Sequence, residues 1–171
     1  MNMLPLIRTG LILILTSILV ACSGSEETAQ ARPDPVHFES GDECHVCGMA
    51  ITRFPGPKGQ AISGEESQVR KFCSTRDMFS WAMQPENINR DYTLYVHDMA
   101  QTDWEHPDDT ALIDAREAWF VVGSERTGAM GPTLASFAAQ SDAETFAGQY
   151  GGEVVPFDGI TMEHLSFGAA M

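Results

Sequence analysis

The stretch Val-Arg-Lys-Phe-Cys-Ser-Thr-Arg-Asp-Met-Phe-Ser-Trp-Ala, residues 69–82, sets the reading of the fold because it changes period half-way along. Residues 69–73 are compatible with a strand, and Ser74-Thr75-Arg76-Asp77 then reads as a helix N-cap with a carboxylate three residues on. Met78, Trp81 and Ala82 follow at i, i+3 and i+4, and Pro85 bounds the helix. A strand running straight into a capped helix is the core of a ββαβ unit.

Working outward from that joint, residues 46–52 and 60–63 are further strand expectations, separated by the turn-forming Phe-Pro-Gly-Pro-Lys-Gly at 54–59. Residues 92–97 alternate and are rich in aromatic and β-branched side chains, which predicts a strand. The same order then repeats. Residues 118–122 are a buried-strand run, residues 124–132 a loop, and residues 133–138 are ambiguous between strand and helix. Ser141-Asp142-Ala143-Glu144 reads as a full capping box, Ala143, Phe146, Ala147 and Tyr150 lie on one helical stripe, and Gly151 supplies the C-cap. Residues 153–157 close the second unit as a strand. The expected fold is α+β, two similar ββαβ halves packed together, at residues 41–110 and 111–171.

The 171 residues suffice for this, with 43% hydrophobic residues to supply a core. A formal charge of −14 argues against a nucleic-acid partner and against adhesion to anionic lipid by charge. Residues 1–21 read as an export signal: Arg8, then a short apolar run, then Leu19-Val20-Ala21-Cys22. That tetrapeptide resembles the lipobox of bacterial lipoproteins, which implies cleavage before Cys22 and its lipidation. Residues 22–40 then hold the lipidated Cys and a flexible tether, whose most polar and proline-broken part is residues 23–35. Ser23 after the lipidated Cys, by the same likeness, leans towards the outer membrane. With Cys22 occupied by lipid, Cys44, Cys47 and Cys73 remain, an odd number for an oxidising compartment.

Residues 42–49, Asp-Glu-Cys-His-Val-Cys-Gly-Met, gather two thiols, a thioether and an imidazole in a turn-forming setting. A Cys44–Cys47 disulfide is sterically possible but strained. A thioredoxin-like thiol–disulfide oxidoreductase needs the first Cys at a helix N-terminus, and no helix is evident after Gly48. Structural zinc needs Cys73 and a histidine to complete four ligands. Cu(I) accepts two or three soft ligands, and Met49 favours it over zinc. Met130 lies between Gly128 and Gly131 in a polar loop, poorly placed for core packing, and is a second thioether for the same ion. His45 is a possible further ligand. Cys73 reads as a buried hydrophobe, a reserve ligand or a disulfide partner, in that order. No hydrolase elbow, zinc-protease motif or Walker loop occurs, so the protein is not expected to be an enzyme.

Gly-Asp-Glu-Cys-His-Val-Cys-Gly-Met at 41–49, Phe-Pro-Gly-Pro-Lys-Gly-Gln at 54–60, Lys-Phe-Cys-Ser-Thr-Arg-Asp-Met-Phe at 71–79, Gly-Ala-Met-Gly-Pro at 128–132 and Gln-Tyr-Gly-Gly at 149–152 together resemble the NosL family. These are copper lipoproteins of nitrous oxide reductase maturation. The resemblance implies a periplasm-facing, lipid-anchored Cu(I) chaperone that passes copper towards apo nitrous oxide reductase through an ABC-type membrane complex. It implies copper ligands at Cys44, Cys47, Met49 and Met130.

Overall fold

Pro55, Gly56 and Pro57 turn the chain into the first strand of a computed structural model that describes residues 32–64 and 68–166. The residues read as export signal, Cys22 and the start of the segment read as tether lie outside the described residues. Strand β1 (Gly59–Ser63) pairs antiparallel with β2 (Val69–Phe72), and helix α1 (Thr75–Ala82) leads from β2 to β3 (Tyr92–His97). Strand β3 returns to the other side of β1, with Ala61 opposite Leu94, and β4 (Leu112–Asp114) completes the sheet in the order β2-β1-β3-β4. Along β3, Tyr92, Leu94 and Val96 are buried while Thr93 and Tyr95 are half-buried, the period of two expected from the sequence.

The second unit has the same plan. Strand β5 (Trp119–Val122) lies between β8 (Ala135–Phe137) and β9 (Glu153–Pro156), and α2 (Gln140–Tyr150) joins β8 to β9. Both three-strand sets therefore run second, first, last, with antiparallel neighbours and the helix before the last strand. The second unit carries an insertion, the small hairpin of β6 (Thr127–Gly128) and β7 (Gly131–Pro132), and a short helix, α3 (Met162–Leu165), ends the described chain. The α+β expectation holds.

One apolar core serves both units: Phe72, Met78, Phe79, Leu94 and Val96 from the first meet Phe120, Val122, Leu134, Val155 and Leu165 from the second. Strand β1 approaches α1 so closely that a Cβ on Gly59 would fall 2.7 Å from the Met78 sulfur. Among the described residues no helix is long and apolar enough to cross a membrane.

Four local expectations change. Residues 46–52 form no strand: Gly48, at φ +72°, turns the chain back, leaving one bridge between Glu43 and Ala50 before a 3-10 turn at Ile51–Arg53. Helix α1 buries Thr75, Met78 and Phe79, with Trp81 and Ala82 half-buried beside them. Helix α2 starts at Gln140 with Ala139 as its uncapped N-cap, so Ser141 lies inside the helix, where its carbonyl accepts from the Thr145 hydroxyl. The segment read as tether is fastened from Arg32 onwards. Arg32 pairs with Asp114, the Tyr95 hydroxyl donates to Pro33 O, and Val36 and the Gln60 side-chain amide exchange two hydrogen bonds.

Candidate metal centre

The tight turn after Cys44 is closed twice by backbone, Gly48 N–H donating to Cys44 O at 2.9 Å and Cys44 N–H to Met49 O at 2.8 Å. His45 N–H donates to Lys71 O at 2.8 Å, which fastens this turn to β2. The Lys71 ammonium also bonds to the Asp42 carboxylate. Since β2 ends at Phe72, the next residue, Cys73, is delivered directly to the turn.

The helix supplies the fourth group. Ser74 caps α1 by accepting from Asp77 N–H at 3.0 Å, which leaves the Asp77 carboxylate free to point elsewhere. It faces the thiols: Asp77 Oδ2 lies 3.1 Å from Cys73 Sγ and 3.7 Å from Cys44 Sγ. Cys47 Sγ lies 3.5 Å from Cys73 Sγ. The ligand atoms of Cys44, Cys47, Cys73 and Asp77 all fall within 4.8 Å of one another, and all three cysteines are free thiols. No other grouping of three or more Cys, His, Asp or Glu ligand atoms this tight occurs among the described residues.

Three thiolates around one ion at a metal–sulfur distance of about 2.3 Å stand about 4 Å apart, so the cluster needs only small side-chain adjustments to close on a metal. Its softness suits Cu(I), and its one oxygen is the ligand type that a borderline ion would use. Cys44 and Cys73 are buried and Cys47 is half-buried, giving the site one open side.

The thiols are unequal. The Cys73 thiol donates to the Cys44 sulfur, and backbone N–H groups of Cys73, Cys47 and Val46 point at it as well; despite burial they bring Cys44 down to about 5. Donating to Cys44, burial and the neighbouring Asp77 carboxylate all push Cys73 up. Burial pushes Cys47 up. The metal-free centre thus has one thiolate ready for a cation, with two protons to be released as the other sulfurs join.

Of the residues singled out in the sequence, Cys44 and Cys47 come together as expected, and Cys73 proves central to the cluster. His45 stands outside it. Its ring sits edge-on to Phe72 and Trp81, with centroids 6.0 and 5.9 Å away. Met49 is half-buried at the end of the turn. Met130 is 49% exposed at the tip of the β6–β7 hairpin. The base of that hairpin is seated on the first unit: the Trp104 indole N–H donates to Thr127 O at 3.1 Å, and Thr133 Oγ1 meets Thr75 Oγ1 at 3.0 Å. Thr75 lies midway between Cys73 and Asp77 in sequence, so the hairpin is anchored on the helix turn that presents the cluster. Asp77 escaped the sequence reading because its place three residues after a Ser had already explained it as a capping carboxylate. The available signal was its i+4 spacing from Cys73 across the start of a helix.

The family model for NosL matches residues 35–165. The chain belongs to the NosL family. It is 50% identical over 173 residues to the copper-binding lipoprotein NosL of Stutzerimonas stutzeri, covering 100% of this chain and 90% of that one. To the copper-binding lipoprotein NosL of Achromobacter cycloclastes it is 33% identical over 157 residues, covering 90% and 81%. Among solved structures, the crystal structure of the copper chaperone NosL from Shewanella denitrificans matches with a TM-score of 0.74 at 49% identity, covering 76% of this chain and 97% of that one. The resemblance to NosL carried by the five sequence segments is thereby established, and the Cys44, Cys47 and Cys73 cluster is part of a NosL-family fold.

Proposed function

We propose that this chain is a non-catalytic Cu(I) carrier, anchored by lipid on Cys22 in the bacterial cell envelope, facing the periplasm from the outer membrane. It supplies copper for the metal centres of nitrous oxide reductase, with apo nitrous oxide reductase and an ABC-type membrane complex as partners. The observation that carries this reading is the convergence of Cys44, Cys47, Cys73 and Asp77 within 4.8 Å. The names of its relatives, copper-binding lipoprotein and copper chaperone, support it. A carrier must also let go. Met49 and the exposed Met130 supply thioethers through which a departing ion can pass, one ligand exchanged at a time. A thioredoxin-like role has less support, since Cys44 and Cys47 sit in a turn that leads into only three residues of 3-10 helix.

The test is anaerobic mixing of the Cu(I)-loaded protein with metal-free nitrous oxide reductase, followed by separation and metal analysis. Copper moving to the reductase is the expected result. Copper that stays with the carrier, with its partner complex also present, would refute delivery.

A further inference from the structure

We propose that Cys47 and Cys73 form a reversible disulfide when the site holds no copper, so that oxidation and metal loading compete for the same two sulfurs. The bond is a modification of the site itself, and the competition rests on the copper-carrier reading above.

Spacing alone would pair Cys44 with Cys47, but the geometry points to a different pair. Cys47 Sγ and Cys73 Sγ are already 3.5 Å apart, and a disulfide of about 2.05 Å requires them to approach by roughly 1.5 Å. The segments that carry them are held together by the His45–Lys71 backbone hydrogen bond, so little chain ordering opposes the bond. Cys73 is fixed between the end of β2 and the Ser74 cap, while Cys47 is half-exposed and next to Gly48, so Cys47 supplies both the entry point and the movement. Cys44 is less suited. It is 3% exposed, so it offers the oxidant no entry, and its own N–H and C=O close the turn. Joining it to Cys47 would close a strained ring inside a turn already stapled twice.

The oxidant is a disulfide, R–S–S–R, carried by a dithiol oxidase or a small thiol of the oxidising envelope. The small fraction of Cys47 present as thiolate attacks one sulfur, the R–S–S–R bond breaks, and the first RS⁻ leaves and takes up the proton that Cys47 lost. Cys73 then attacks the Cys47 sulfur of the mixed disulfide, giving up its proton as it does so, and expels the second RS⁻, which takes up that proton. Two cysteine thiols lose two electrons, and one R–S–S–R becomes two R–S–H. The product retains Cys44 as its one free thiol in the cluster, too few sulfurs to hold Cu(I) as a chelate.

The experiment uses the mature lipoprotein, reduced and metal-free in detergent, exposed to oxidised glutathione under nitrogen, then alkylated, digested and mapped by mass spectrometry without reduction. The expected product links Cys47 to Cys73, leaves Cys44 alkylated, and reverts with dithiothreitol. The same link is expected in Cys44→Ser, which guards against misreading a shuffled bond. A Cys44–Cys47 bond, a Cys44–Cys73 bond or three alkylated thiols would overturn the proposal. Loading one equivalent of Cu(I) beforehand is expected to slow the bond at least about tenfold, as a ligand that occupies the reduced form must. Bound copper with an unchanged oxidation rate would overturn the competition. A chain that forms the bond but takes up no Cu(I) would overturn the carrier reading and the competition while the mapped bond stood.

Discussion

Cys73 Sγ and Asp77 Oδ2 stand 3.1 Å apart, on either side of the joint where β2 becomes α1. One short segment therefore presents a soft and a hard donor to the same point, and the carboxylate is free to do so because the Ser74 hydroxyl caps the helix instead. Asp77→Asn is expected to weaken Cu(I) binding by about 10- to 100-fold, the usual effect of removing a group that orients metal ligands. The far-ultraviolet circular dichroism should not change, since the Ser74–Asp77 backbone cap survives. Competition against a chromogenic Cu(I) chelator measures the first and a spectrum the second.

The low value at Cys44 has a spectroscopic consequence. Because hydrogen bonds bring that thiol to about 5, the metal-free protein should already carry one thiolate at neutral pH. Thiolate absorbance in the near-ultraviolet should rise by one thiolate as pH increases through about 5, and this step should vanish in Cys44→Ser. The other two thiols, raised by burial and by hydrogen bonds, should stay mainly protonated at neutral pH and ionise fully in alkali or on metal binding.

Met130 is 49% exposed at a hairpin tip, so replacing it should not disturb the fold. Met130→Ala is expected to change stability by less than about 0.5 kcal/mol. Its effect should appear instead in a slower Cu(I) transfer to an acceptor chelator, followed by stopped-flow absorbance. An unchanged affinity and an unchanged transfer rate would remove Met130 from the copper path.

Acid stability should depend on Asp109, which accepts from Phe38 N–H at 2.7 Å and contacts the buried His97 at 3.3 Å. Burial works against the ionised carboxylate, but the bonds from His97, Phe38 and His37 win and hold it below the usual carboxylate range. A carboxylate with a depressed folded value contributes stability that is complete above its unfolded value and lost as pH falls through the folded one. Urea midpoints measured from pH 7 down to pH 3 should therefore decline, and decline less steeply in Asp109→Asn. That variant should also be less stable at pH 7, by about 1 to 2 kcal/mol.

Much of this architecture was legible in the chain. The Ser74 cap, the alternation of residues 92–97 and the Gly151 stop are local signals, and each element formed where its signal lay. The order strand, strand, helix, strand recurs in both units, and it is written in the succession of local periods. The failures were of the opposite kind. Residues 46–52 looked extended, but the positive φ of Gly48 and the two backbone bonds across Cys44 made a closed turn. Cys73 read first as a buried hydrophobe because nothing local joins it to Cys47, 26 residues earlier. The His45–Lys71 backbone bond and the Asp42–Lys71 contact, both products of folding, bring the two together. A centre assembled from a turn, a strand end and a helix start leaves one strong motif in sequence, C-x-x-C, and hides its other half.

The central claim is that Cys73 holds copper jointly with the C-x-x-C turn. Anaerobic Cu(I) competition titration of the mature protein tests it, wild type beside Cys47→Ser and Cys73→Ser. The account predicts that the wild type takes one Cu(I) from the chelator and that each variant is weakened by more than about 100-fold, beyond the range of outer-shell effects. A wild type that cannot compete for Cu(I), or a Cys73→Ser variant that binds it as tightly as the wild type, would contradict the account.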